Sequence, residues 1–204
     1  MHNLQLNEHV NFIKYFSDEN KKFISKCWQL PDFTLAELVN SIKISLFRRQ
    51  YMKKQFIKWA KDNDWDIVEV EDKADLPDHI IERYIIPDEW YEFVAKLRVC
   101  QNKDYTKWFI TPLDYKNDRN EGFRWNEYEL QSLEWSDGDS QIIEYWDTHL
   151  PIFMSVEGEY TYYAIDTTNG NVVYGLEPEY EESTIVADDF YTFISKIISG
   201  DIVL

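Results

Sequence analysis

The densest group of chemically capable side chains in this sequence is the run Glu177, Glu179, Glu181 and Glu182. Two such carboxylates can act as general acid and base in a hydrolase, provided a cleft holds them about 5–9.5 Å apart at unequal pKa values. Nothing in the spacing demands that geometry. Carboxylates are abundant throughout the chain, so chance neighbours are expected, and the run reads first as a solvated loop and second as a patch for a partner. Four histidines, His2, His9, His79 and His149, are scattered, whereas a zinc site needs three or four convergent ligands. Each is expected at the surface or in a local hydrogen bond. Asp62, Asp64 and Asp66 match the first ligand positions of a calcium-binding EF loop, but Ile67 replaces the turn glycine and Lys73 the bidentate glutamate. That run is therefore read as a solvated turn. Cys27 and Cys100 are too few and too far apart for a disulfide framework or a zinc knuckle, and are expected as reduced, packed thiols. Nucleophile elbows, phosphate-binding loops, dinucleotide fingerprints and paired-histidine zinc helices are absent from the sequence. The expectation is a protein that is not an enzyme, with no catalytic residue, metal or cofactor.

Charge is the more informative signal. Over 204 residues, 21 Lys and Arg stand against 38 Asp and Glu, a formal net charge of −17. The first 61 residues carry 11 basic and 5 acidic side chains, residues 62–120 carry 8 and 15, and residues 121–204 carry 2 and 18. Arg124 and Lys196 are the two cations of that last stretch. So large an excess of one sign weakens the compact state by self-repulsion. It serves either as a solubility surface or as a docking face for a basic protein, whose encounter rate such a field raises roughly 10- to 1,000-fold. It repels nucleic acid and anionic lipid, so neither is expected as a partner. No apolar run approaches the ~18 residues a membrane helix requires. The opening MHNLQLNEHVNF has neither a basic nor an apolar leader region, which gives the expectation of a soluble cytoplasmic protein.

The elements that must position these groups follow from periodicity. Apolar residues make up 44% of the chain and aromatic ones 17%, enough for a sizeable core. Residues 1–74 read as a helical N-terminal extension. Phe12 to Trp28 is expected as one or two helices closed by Pro31. Leu35, Leu38, Val39, Ile42 and Leu46 follow at helical spacing behind Thr34, with Glu37 at the capping-box position, and a second helix carries Met52, Phe56 and Trp59 on one face. Together Thr34 to Lys61 outlines a helix-turn-helix, with Ser45, Arg48, Arg49, Lys53 and Lys54 on the would-be recognition helix. Lys43 stands where that turn commonly has Gly, and the acidic remainder repels DNA. The preferred reading is a cationic lobe that docks on the acidic part of its own chain, or a plain helical extension. A β-prone stretch runs from Trp65 to Val70.

From Asp75 the pattern is α+β. IPDEWYEFVAKL (Ile86 to Leu97) places Pro87 at a helix start, Asp88 and Glu89 in the first turn, and Trp90, Phe93, Val94 and Leu97 on one stripe. Trp108 to Thr111 reads as a strand, and Ile142 to Trp146 as either helix or strand. Leu150 to Val156, Tyr160 to Ile165 and Asn171 to Leu176 are strands separated by Glu157-Gly158-Glu159 and Thr168-Asn169-Gly170. Gly and Asn tolerate positive φ, so an antiparallel β-meander is expected, flanked by helices. A short strand over Thr184 to Val186 then leads into a closing helix. Asp188 is its expected cap, Phe190, Phe193, Ile194, Ile197 and Ile198 its buried stripe, and Gly200 its stop.

The order of these segments over residues 75–204 resembles the SUKH superfamily, which includes yeast cell-wall assembly regulators and many bacterial immunity proteins. The likeness lies in the entry helix IPDEWYEFVAKL, the β-meander HLPIFMSVEGEYTYYAIDTTNGNVVYGLEPE (His149 to Glu179) and the closing helix IVADDFYTFISKIISG (Ile185 to Gly200). What the resemblance implies is a SUKH-like α+β domain that binds and neutralises a toxin domain, often a nuclease, in the cytoplasm of the producing cell. The alternative is an intracellular regulatory scaffold of the same fold without a toxin partner. The expected partner is a basic toxin domain; a monomer and a dimer are both compatible. The contact candidates are carboxylates of two stretches taken as acidic loops, residues 134–147 and 157–182: Asp137, Asp139, Glu144, Asp147, Glu157, Glu159, Glu177, Glu179, Glu181 and Glu182.

Overall fold

Alternating apolar strands punctuated by Gly and Asn build a single seven-stranded sheet whose strands follow one another in chain order. The computed structural model describes residues 35–116 and 123–204, with backbone alone for residues 35–48. Expectations about Phe12 to Trp28, Thr34, Cys27, His2 and His9 lie outside the described residues. Two compact units form, Met1–Arg48 and Arg49–Leu204, and the sheet belongs to the second. Its strands are β1 (Trp65–Glu69), β2 (Leu97–Asn102), β3 (Lys107–Phe109), β4 (His149–Ser155), β5 (Thr161–Asp166), β6 (Val172–Leu176) and β7 (Thr184–Ala187). Every neighbouring pair is antiparallel. With seven helices among the described residues, the fold is α+β, an antiparallel meander flanked by helices.

Several local expectations are corrected. Leu35–Asp62 is one continuous helix, α1; no Gly or Pro interrupts it, so nothing breaks the backbone hydrogen bonding near Lys43 and the helix-turn-helix outline disappears. Trp65, in β1, pairs with Asn102, so the sheet begins upstream of the division expected between residues 74 and 75. Helix α2 (Asp78–Arg83) is new. Helix α3 (Asp88–Val94) keeps the Pro87 start and buries Trp90, Phe93 and Val94, but it stops there and Leu97 opens β2 instead. After the short α4 (Pro112–Tyr115) come α5 (Glu127–Trp135) and α6 (Ser140–Thr148). The stretch 134–147 is therefore mostly helix rather than loop, started by the Asp139 carboxylate, which accepts the Gln141 amide at 2.8 Å. Residues 157–182 likewise contain β5 and β6, leaving the turns at 157–160 and 167–171 and the loop that follows β6 irregular. In the closing helix α7 (Phe190–Ser199) the cap is Asp189, one residue beyond the expected one, accepting the Thr192 amide at 2.6 Å. Gly200, at φ 83°, ends it in the left-handed region that glycine enters without steric cost.

Strands β4 and β5 are buried on both sides. Successive side chains on a strand point to opposite faces, so Tyr162 and Tyr163 look into different layers. On the Tyr163 side the rings of Phe193 and Phe153 lie 4.8 and 5.5 Å away, continuing through Phe109, Phe56, Phe93 and Phe190. On the Tyr162 side stand Trp146 at 5.1 Å, Tyr180 at 6.1 Å and Tyr128 at 6.2 Å.

Candidate functional site

The β6–β7 loop, residues 177–183, carries the densest carboxylate run and is tied to the layer beneath it. Tyr180 points inward and is fully buried. Its ring stacks on Tyr128 at 4.7 Å and on Trp135 at 5.8 Å, both nearly parallel. The Tyr180 hydroxyl donates to Gln131 Oε1 at 3.1 Å, and the Tyr180 carbonyl accepts from the Tyr162 hydroxyl at 2.5 Å. A carbonyl only accepts, so Tyr162 uses its proton there and receives one from Tyr145, whose oxygen is 2.5 Å away. The Tyr145 oxygen also lies 2.8 Å from Ser183 Oγ, so the chain of hydroxyls reaches the middle of the loop and its C-terminal end. Burial pushes the phenols of Tyr162, Tyr145 and Tyr180 up, which keeps them neutral donors. The loop's base is closed by the Glu177 amide on the Tyr160 carbonyl at 2.9 Å and the Tyr160 amide on Glu177 Oε1 at 3.0 Å. Across the strands Tyr162 sits opposite Gly175. A Cβ on Gly175 would stand 2.6 Å from the Tyr162 Cζ and hydroxyl oxygen, so the ring occupies the space a side chain would need.

With Tyr180 turned in, Glu179 and Glu181 on either side of it line a cleft of about 290 Å³. Trp135, Ser132 and Ser136 at the end of α5, Ile142 of α6 and Pro178 complete it. Trp135 is 54% exposed although its ring is stacked from below. Neither Glu179 nor Glu181 forms an ion pair with a described cation.

The other candidate carboxylates are dispersed. Asp147 reaches Arg83 at 2.9 Å, and the same guanidinium holds Glu129, only 8% exposed, through two bonds of 2.7 and 3.0 Å. Burial alone would lower the Arg83 pKa, but its bonds to Glu129 and Asp147 outweigh that and hold it above the ordinary value. Glu157 pairs with Lys107. Glu177 closes the loop base and Asp139 caps α6, so these four have partners within the fold. Asp137 (φ 55°) occupies the turn after α5, Glu144 is exposed on α6, Glu159 is exposed beside Gly158, and Glu182 is exposed on the loop. Trp135 went unnoticed in the sequence. Its signal is a large indole in the polar setting Glu134-Trp135-Ser136-Asp137, where a surface helix end has no need of one.

The histidines and cysteine take structural places. His149 stacks on Tyr145 at 3.9 Å, with Nδ1 2.8 Å from that residue's carbonyl, and burial lowers its pKa. His79 lies 6.0 Å from Trp125. Cys100 is buried and unpaired, and burial pushes its thiol up. Asp64 pairs with Lys103. Among the described residues no group of three or more His, Cys, Asp or Glu is placed to hold a metal, and no helix is long and apolar enough to cross a membrane. No family model, curated protein or solved structure matches this chain.

Proposed function

We propose that this chain is a non-catalytic cytoplasmic binding protein of SUKH type that neutralises a basic toxin domain, a nuclease being the favoured class, by stoichiometric docking on its acidic C-terminal half. The observation that carries this reading is the 177–183 loop: a carboxylate run held by Tyr180 in one posture and left without described counter-ions. Pre-ordering such a loop reduces the entropy lost on association. Nucleases carry cationic faces because they bind phosphates. A fixed anionic loop beside an exposed indole supplies both the steering field and an anchor.

The test is stopped-flow association with the product of the adjacent gene. A 1:1 complex is expected whose on-rate falls at least about tenfold as ionic strength rises from low salt to about 0.5 M, because the Debye length contracts several-fold. Combining Glu179→Lys, Glu181→Lys and Glu182→Lys should slow association without lowering the unfolding midpoint, since these side chains are not part of the core. A salt-independent rate removes the electrostatic reading. A neighbouring product that does not bind, with a non-toxic regulator captured instead, favours the scaffold alternative.

A further inference from the structure

We infer that the cleft between Trp135 and the 177–183 loop receives one arginine side chain of the partner protein. The inference rests on the proposed binding function and specifies which group the partner inserts. Small-molecule sites usually enclose about 300–1,000 Å³. The cleft, at about 290 Å³, stands at the lower edge of that range and has room for a single long side chain.

Its wall chemistry selects the side chain. Ile142 and Pro178 offer apolar surface to a methylene stem. The lower face of the Trp135 indole is occupied by Tyr180, which fixes the ring and leaves the opposite face open. A planar guanidinium stacks on an indole face and binds carboxylates through two parallel bonds, whereas an ammonium does neither as well. Glu179 and Glu181 stand at the rim as the acceptors. Three of the described cations are engaged elsewhere: Arg83 with Glu129 and Asp147, Lys107 with Glu157, and Lys196 with the Val186 carbonyl at 2.6 Å. Indole and arginine are also the residue types that most often dominate binding energy at protein interfaces.

The experiment has two arms on the full chain. In the first, N-acetyl-arginine amide, N-acetyl-lysine amide and N-acetyl-citrulline amide are titrated while the Trp135 indole N–H and the backbone amides of residues 179–183 are followed by NMR, with Trp135→Phe assigning the indole signal. Saturable shifts are expected with the arginine probe, weaker binding by about tenfold with lysine, and none with neutral, isosteric citrulline. Arginine shifts elsewhere only, or equal shifts with citrulline, overturn the inference. In the second arm, the combined Glu179→Gln and Glu181→Gln variant should raise the off-rate of the partner complex at least about tenfold, while Glu71→Gln, exposed and outside both candidate stretches, leaves it unchanged. Unaltered dissociation with salt-dependent association intact refutes the arginine seat and leaves the acidic docking function standing. No association with the basic partner at all refutes the function itself.

Discussion

The two faces of the sheet are both packed with aromatic rings, yet they are held by different forces. On the Tyr163 side the contacts are chiefly phenylalanine on phenylalanine: Phe56, Phe93, Phe109, Phe153, Phe190 and Phe193 meet edge to face or tilted at 5.1–6.4 Å. Those rings contribute through area removed from water and have no polar atom to satisfy. On the Tyr162 side the rings carry hydroxyls that bond to main-chain carbonyls, Tyr84 to Trp146, Tyr128 to Ser155 and Tyr162 to Tyr180, at 2.9, 2.6 and 2.5 Å. Phenyl packing tolerates small slips, whereas a hydroxyl aimed at one carbonyl does not. The first face gives cohesion; the second sets where particular loops lie, and the acidic loop belongs to the second.

Mutations at matched depth separate these roles. The largest effect is expected for Phe193→Ala, a loss of about 3–5 kcal/mol from a buried ring in a layer that cannot collapse around the gap, read as a lower midpoint in urea. Hydrogen exchange should then rise throughout the sheet. Tyr162→Phe should cost less, about 1–3 kcal/mol for leaving the buried Tyr180 carbonyl unsatisfied. Its exchange should rise selectively at residues 177–183. If Tyr162→Phe loosened the whole sheet evenly, or if Phe193→Ala loosened the loop first, the distinction between the faces would fail.

The smallest effect concerns pH, at the seam where α6 enters β4. Burial holds the His149 pKa below its ordinary 6.5, against the opposing pull of the Tyr145 carbonyl and of Asp166, its cross-strand neighbour. The unfolded chain therefore takes up this proton first, so His149 lowers stability as pH falls through the ordinary histidine range. Asp166 contributes in a separate window. Burial pushes its carboxyl up, but the Thr168 hydroxyl and amide outweigh that and hold it below 3.8, so its stabilisation is lost only in stronger acid. Urea midpoints from pH 7.5 down to 5.5, which spans the ordinary histidine value, should decline more in the parent chain than in His149→Gln; parallel curves would dismiss the histidine.

Much of this architecture is written in short-range signals. Pro87 with two acids announces α3, Gly158 and Gly170 announce the turns of the meander at φ 74° and 88°, and Gly200 announces the end of α7. What escapes has physical causes. Strand β2 buries Leu97 and Cys100, three residues apart, a spacing that mimics a helix, and no Gly or Pro separates it from α3. The division between units is hidden because a single helix, α1, runs through residue 48. For the site, composition singles out the Glu177–Glu182 run but cannot say that Tyr180 turns inward while its two neighbours face a cleft. That depends on Tyr128, Trp135 and Tyr162, distant in sequence and indistinguishable there from ordinary core aromatics.

Gly175 brings an unexpected liability. Because the neighbouring ring borrows the volume of a missing methyl, position 175 has an alphabet of one letter, even though its backbone needs no unusual dihedral. The smallest possible replacement, alanine, leaves every charge in place and still evicts the phenol that moors the glutamates. A drifting lineage could thus forfeit its anionic face through a residue that carries no charge, makes no side-chain contact and never meets the outside world.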